Sequence, residues 1–244
     1  MLKPQPFLSI IIPAYNEEAR LPRALGQVFA FLNKQAYTAE VLVIENGSRD
    51  HTLEVARGFM RDFPGLHVLH EDQPGKGYAV RRGMLEAIGE YRFFADADFS
   101  MPIEQINCFL PPACSSDIAI ASREVAGAVR YGEPGYRHLT GRIYNFLIRS
   151  MVLPGLQDTQ CGFKCFRASV AEDIFPYQTL TGWSFDVEVL AIARRRSYTI
   201  TEIGIPWYYN PGSKLSVLGQ SWRMFIDLLK IRHNARQGAY DLRA

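Results

Sequence analysis

Short runs of β-branched and aromatic residues recur along the first half of the chain, and stretches of helical length with apolar positions every three to four residues separate them. Strands are predicted over residues 8–12 (LSIII), 40–45 (EVLVIE), 66–70 (LHVLH), 91–96 (YRFFAD) and 117–122 (DIAIAS). Helices are predicted near residues 18–35, 50–63, 77–89 and 103–110, with Pro22 tolerable in the first turn of the first and Asp50 a plausible cap of the second. Strand alternating with helix implies an α/β fold with a mostly parallel central sheet flanked by helices. Beyond Arg123 the pattern changes to a Gly- and Pro-punctuated loop over 127–135, a helix over 137–152, a strand over 163–166, a helix over 184–196, a strand over 199–206 and a last helix over 218–237. With no internal repeat and no Ser/Gly linker, residues 1–244 read as one continuous domain.

Composition narrows the function classes. A chain of 244 residues, 48% hydrophobic and 21% charged, can bury a full core without disulfide or metal staples. The formal charge is +2, so nothing favours nucleic acid as a partner and any anion site has to be local. Cys108, Cys114, Cys161 and Cys165 include no CxxC and no spaced His partner, so reduced thiols are expected rather than a zinc site. The start MLKPQPFLSIIIP reaches a strand at once and carries no signal-peptide pattern, and no apolar run approaches the roughly 18 residues of a membrane span. A cytoplasmic protein is expected, lying free or peripherally on the cytoplasmic face of a membrane.

The sharpest chemical signal is Asp96-Ala97-Asp98 after the apolar run FFA. Side chains at i and i+2 of an extended segment point the same way, so two carboxylates converge at a strand's C-terminal end, where open α/β sheets bind ligands. Such a pair can hold Mg²⁺ or Mn²⁺ and leave positions open for phosphate, whereas two solvated turn aspartates are the plainer alternative. Other strand ends carry Pro13, Tyr15 and Glu17, then Glu45, Asn46, Gly47 and Ser48. A glycine turn, Gly75-Lys76-Gly77, opens the next helix and makes Lys76 available to a phosphate at the positive helix end. It is not a Walker A loop, and no GxGxxG follows a strand, which argues against a P-loop NTPase and a nicotinamide dehydrogenase. The second half adds Arg123, Arg130, Arg137 and Arg142, then Asp158-Thr159-Gln160-Cys161-Gly162-Phe163-Lys164, then Gly182-Trp183-Ser184-Phe185-Asp186, then Gly212-Ser213-Lys214-Leu215-Ser216. Arg123, Lys164 and Lys214 stand beside Gly or Ser at predicted element ends and rank above the other cations.

In this order, IIIPAYNEE, ENGSRDHT, GKGYAVRRGM, the Asp pair, DTQCGFK, GWSFDVE and GSKLS resemble the family 2 glycosyltransferases of GT-A fold, nearest the dolichyl-phosphate β-glucosyltransferase and dolichyl-phosphate mannose synthase branch. The likeness spans roughly residues 8–216. It implies a metal-dependent, inverting hexosyltransferase taking glucose, or next mannose, from a UDP- or GDP-sugar to a polyprenyl or dolichyl phosphate. A soluble or glycan acceptor, or a sugar-nucleotide-binding module without turnover, is the alternative. Residues 1–123 are then expected to bind the nucleotide sugar, 124–217 the acceptor, and 218–244 to form an amphipathic helix. The resemblance makes Asp96 and Asp98 the metal site. Pro13, Tyr15, Glu17, Glu45, Asn46, Gly47, Lys76, Asp96, Ala97 and Lys214 are expected at the donor, and Arg137, Gln160, Trp183 and Asp186 at the acceptor. Asp98, Asp158, Arg123 and Lys164 are expected in catalysis, Asp158 as general base should the acceptor be a hydroxyl. Many relatives carry Asp-Asp where this chain has Glu45-Asn46, so uracil and guanine both stay open, and Ser100 stands where some mannose synthases have Gln.

Overall fold

The computed structural model describes residues 5–210 and 217–241. Among them a seven-stranded sheet has the order β3-β2-β1-β4-β7-β5-β8, formed by β1 (Leu8–Ala14), β2 (Ala39–Glu45), β3 (Leu66–His70), β4 (Tyr91–Ala95), β5 (Ile118–Ser122), β7 (Phe163–Arg167) and β8 (Ile200–Gly204). All neighbours are parallel except β7, which runs antiparallel to both β4 and β5. The strands alternate their apolar residues between two layers. Ile10, Ile12, Val41, Val43, Phe93 and Ala95 pack on one face with Leu21, Leu25 and Val28 of α1 (Leu21–Leu32) and Ala56 of α2 (Thr52–Phe59). Ile11, Leu42, Ile44 and Phe94 pack on the other with Ala79, Val80 and Met84 of α3 (Lys76–Glu86), and with residues of α5 (Ala168–Ile174), α6 (Phe185–Arg195) and α7 (Val217–Arg236). Both faces are covered, which is why these strands read as nearly unbroken apolar runs.

The expected strands and long helices are present, with five differences. The first helix starts at Leu21, not residue 18, because Glu17 and Glu18 are drawn to the neighbouring loop: Glu17 N–H donates to Thr52 Oγ1 (2.7 Å) and Glu18 N–H to Asp50 Oδ2 (3.2 Å). Asp50 lies one residue ahead of the cap position of α2 and accepts from Thr52 N–H (3.1 Å), a local turn bond rather than a cap. Residues 103–109 form a 3-10 segment instead of an α-helix, and α5 occupies residues that carried no helix expectation. The expected loop over 127–135 contains β6 (Val129–Tyr131), which pairs in parallel with β9 (Pro206–Tyr208) in a second, two-stranded sheet. That sheet and α4 (Gly135–Met151) stand over the C-terminal ends of β4 and β5.

Candidate active site

Sheet order reverses at β1, whose neighbours β2 and β4 leave on opposite sides, and the C-terminal ends of these three strands open into a cleft. This is the switch-point position at which open α/β sheets bind ligands. Asp96 and Asp98 follow β4 directly, and two cavities meet at them. The larger, about 850 Å³, is lined by Pro13 near the end of β1, Tyr15 and Glu17 after it, Asn46 and Gly47 after β2, and Lys76, Asp96, Ala97 and Asp98. The smaller, about 220 Å³, is lined by Arg123, Arg130, Arg137, Gln160, Trp183 and Asp186 together with Trp207 and Tyr209. Lys76, Asp96, Asp98 and Trp183 belong to both walls.

The larger cavity is shaped by loop-to-loop hydrogen bonds. Asn16 takes a positive φ of 52°, which lets its N–H reach Ser48 Oγ (3.0 Å) and its Oδ1 accept from Arg49 N–H (2.8 Å). Asn46 braces the turn ahead of Lys76: its amide donates to Gln73 O (2.6 Å) and Glu71 O (3.1 Å) and accepts from Gly75 N–H (2.8 Å). Glu45 does not reach the cavity. It is buried beneath the loop, accepting from Ser48 N–H and contacting His70 Nδ1 at 2.5 Å. Burial pushes the Glu45 carboxyl up, but the bonds from Ser48 and His70 outweigh this and hold it below its ordinary value.

Charge is concentrated at the junction. Lys76 Nζ lies 2.6 Å from Asp96 Oδ1 and 5.3 Å from the centre of the Trp183 ring. Asp96 N–H donates to Gly162 O (3.0 Å), and a Cβ at Gly162 would fall 1.9 Å from Asp96 Oδ2, so glycine there makes room for the carboxylate. Burial, then the neighbouring charge of Asp96, raises the Asp98 carboxyl above its ordinary value. A second cation beside Lys76 would relieve that repulsion. Among the described residues no group of three His, Cys, Asp or Glu side chains converges. A pair with room left for water and phosphate oxygens suits Mg²⁺ or Mn²⁺.

The smaller cavity is cationic and aromatic. The Arg123 guanidinium lies 5.4 Å and that of Arg130 5.9 Å from the Trp207 ring centre, and Arg137 lies 5.1 Å from Tyr209 and donates to its hydroxyl (3.1 Å). Arg123 is aimed by Asp158, which accepts from its Nε (2.6 Å), Nη2 (2.9 Å) and backbone N–H (3.0 Å). Asp158 itself is 0% exposed, and Glu202 holds its backbone through Asp158 N–H (2.9 Å). The carboxylate expected as a general base is thus enclosed and engaged by Arg123 and by Gln160 N–H (3.3 Å). Lys164 is also buried, donating to Asp186 Oδ1 (2.7 Å) and Cys161 O (2.6 Å), so it supports Asp186 from behind. Lys214 lies outside the described residues. Arg20, Arg49, Arg223, Trp207 and Tyr209 line the cavities although no sequence argument had singled them out. Trp207 on β9 and Tyr209 just after it, two residues apart, were the available signal, hidden by reading residues 127–135 as loop.

The fold and the paired acidic residues at its switch point define a GT-A glycosyltransferase architecture. The chain superimposes on the glucosyl-3-phosphoglycerate synthase of Mycobacterium tuberculosis in complex with UDP with a TM-score of 0.69, over 93% of this chain and 80% of that one, at 19% identity. The same enzyme in complex with Mn²⁺, UDP-glucose and phosphoglyceric acid gives 0.65 over 93% and 79%, at 18% identity. The model of glycosyl transferase family 2 matches residues 9–175, and the chain belongs to that family. Its relatives include dolichyl-phosphate β-glucosyltransferases of Drosophila melanogaster (35% identity over 92% of this chain and 74% of that one), Homo sapiens (33%, 96% and 78%) and Dictyostelium discoideum (30%, 98% and 77%).

Proposed function

We propose that this glycosyltransferase transfers glucose from UDP-glucose to a polyprenyl phosphate of the dolichyl type, with inversion at the anomeric carbon. The observation that carries this reading is the meeting of two cavities at Lys76, Asp96, Asp98 and Trp183, the second of them lined by three arginines. The relatives named dolichyl-phosphate β-glucosyltransferase, at 30% identity and above over nearly the whole chain, support the same donor sugar and acceptor.

In this reading the larger cavity takes the nucleotide against Pro13, Tyr15, Glu17, Asn46 and Gly47, and Lys76 meets the diphosphate. Asp96 and Asp98 would hold Mg²⁺ or Mn²⁺, which supplies positive charge to the leaving diphosphate. Arg123 and Arg137 hold the acceptor phosphate, whose oxygen forms the new bond to the anomeric carbon as the bond to the diphosphate breaks. A phosphate monoester has a second pKa of about 6 and is mostly dianionic at neutral pH, so no residue has to remove a proton. The ion-paired state of the cavity's other carboxylates agrees: Glu133 is bound to Arg130 and Asp186 to Lys164. Asp158 in this scheme aims Arg123.

A lipid acceptor also needs an apolar approach. Tyr136, Leu139, Ile143 and Phe146 form one stripe of α4 and are 56–69% exposed, while Thr140, Gly141, Tyr144 and Asn145 of the same helix line the smaller cavity. The stripe borders the cavity mouth, which supports a peripheral position at a membrane surface. No helix of the described residues is long and apolar enough to cross a membrane. The test is a screen of UDP-glucose, GDP-mannose and other UDP- and GDP-sugars, with and without Mn²⁺, against a short polyprenyl phosphate and soluble acceptors. Glucosyl polyprenyl phosphate formed from UDP-glucose is the expected product, and turnover confined to soluble acceptors would refute the lipid reading.

A further inference from the structure

Tyr240 follows α7, far from both cavities in sequence, yet it is a fully buried side chain with a polar end in the interior. Its hydroxyl donates to Glu188 Oε1 (2.7 Å) and accepts from the Asn234 amide (3.3 Å). Glu188, on α6, is also fully buried and gathers three more donors: Thr179 N–H (2.8 Å), Leu180 N–H (2.6 Å) and Thr179 Oγ1 (2.5 Å). A buried carboxylate cannot replace a lost partner with water, so each donor constrains the others.

The turn that Glu188 holds, residues 178–183, is the back wall of the site. Thr181 O accepts from Gly77 N–H (2.8 Å), and the Gln178 amide donates to Gly77 O and Leu180 O (both 2.9 Å). The contact allows no slack, since a Cβ at Gly75 would fall 2.6 Å from Thr181 O and one at Gly77 2.8 Å from Leu180 O. Lys76 sits between those glycines, and Trp183, which lines both cavities, ends the same turn. Movement of the turn therefore moves the cation and the ring together.

We propose that Tyr240 is a positioning residue for transfer: through Glu188 it fixes the turn that places Lys76 and Trp183 at the junction of the two cavities. Other contacts tie the residues after α7 to α6, namely Arg196 Nε to Tyr240 O (3.0 Å) and Arg195 to Asp241, but these hold backbone and surface and do not reach the turn. The proposal rests on the function proposed above only for its kinetic readout.

Tyr240→Phe keeps the ring and removes the hydroxyl, Thr179→Val removes one Glu188 partner from the opposite end, and Asp241→Asn is the control for anchoring alone. With UDP-glucose and a polyprenyl phosphate, Tyr240→Phe and Thr179→Val should each lower kcat about tenfold, the value of one hydrogen bond, with KM changed less than threefold. Asp241→Asn should leave kcat within twofold. Hydrogen exchange at the Thr179, Leu180 and Gly77 amides should quicken about tenfold in the first two variants and not in the control. Unchanged exchange at these amides in Tyr240→Phe overturns the proposal whatever the substrate is. A fall in melting temperature with kcat within twofold overturns it as well. Should Tyr240→Phe fail to fold, Thr179→Val decides by the same two readouts. Faster exchange in a protein that does not use UDP-glucose refutes the substrate reading and leaves the strut standing.

Discussion

Asp158 and Arg123 form an ion pair in which one partner is enclosed and the other faces the smaller cavity. Burial alone would raise the Asp158 carboxyl, but the adjoining Arg123 guanidinium and its hydrogen bonds hold it down at about 2, against an ordinary 3.8. A depressed carboxylate contributes stability above its unfolded value and loses it as pH falls through its folded one. This pair should therefore give roughly 2 kcal/mol that disappears between pH 4 and pH 2, measurable by denaturant titration across that window and reduced in Asp158→Asn. The same variant should lose about 3 kcal/mol at neutral pH, since Arg123 is left without its buried partner, and its kcat with a phosphate acceptor should fall because Arg123 is no longer aimed. Rescue of kcat by Asp158→Glu with stability still low would separate aim from packing. At the junction, Asp98→Asn should cost about 10² to 10³ in kcat and abolish Mn²⁺ binding read by paramagnetic resonance. The Asp pair was legible in the sequence as two acidic residues at a strand's C-terminal end, although residues 96–99 form a turn, with Phe99 N–H donating to Asp96 O (3.1 Å), and not the extended segment expected. The engagement of Asp158, Lys164 and Glu45 was not, because a polar residue type carries no record of which charge lies opposite it in space.

At the scale of elements, one glycine sets how closely two layers approach and another makes room for a site carboxylate. A Cβ at Gly83 of α3 would fall 2.3 Å from Ile11 Cγ2 of β1 and 3.0 Å from Ile44 Cγ1 of β2. Gly83→Ala should cost about 1–3 kcal/mol by overpacking, lowering the melting temperature with little effect on KM. Gly162, at the head of β7, faces Asp96 instead of a core side chain, so Gly162→Ala should spare the fold and displace the carboxylate, lowering kcat more than tenfold with weaker Mn²⁺ binding. A variant with normal kcat and Mn²⁺ affinity would show that Asp96 is not needed where it stands. Helix and strand types up to β4 were legible, because two-sided burial writes apolar runs and amphipathic helices write a 3.6-residue period, whereas residues 103–109 form a 3-10 segment. The short parallel pair β6 and β9 was not: its strands are three residues each, exposed or half-exposed, and held by partners about 75 positions apart. The antiparallel place of β7 between β4 and β5 was equally silent, since strand direction depends on the path of the connections and leaves no local pattern.

For the molecule as a whole, the cavities, the apolar stripe of α4 and the arginines lie on one side, and this arrangement has a consequence for where it works. Four large apolar side chains along three helical turns are more than scattered surface hydrophobics, and Arg142, on the same helix, is exposed. Seated in the headgroup zone, the stripe would bring the mouth of the smaller cavity to the depth at which a lipid phosphate lies, with its chain remaining in the bilayer. Purified protein should float with liposomes containing anionic lipid at low salt and less so as ionic strength rises, because the basic contribution is screened and the apolar one is not. Leu139→Glu with Phe146→Glu should abolish flotation and raise KM for a long polyprenyl phosphate in liposomes, while leaving kcat/KM for a short, detergent-dispersed acceptor within threefold, since neither side chain lines a cavity. Equal loss with both acceptors would mean that the stripe supports the fold of α4, and undiminished flotation would mean that another surface meets the lipid.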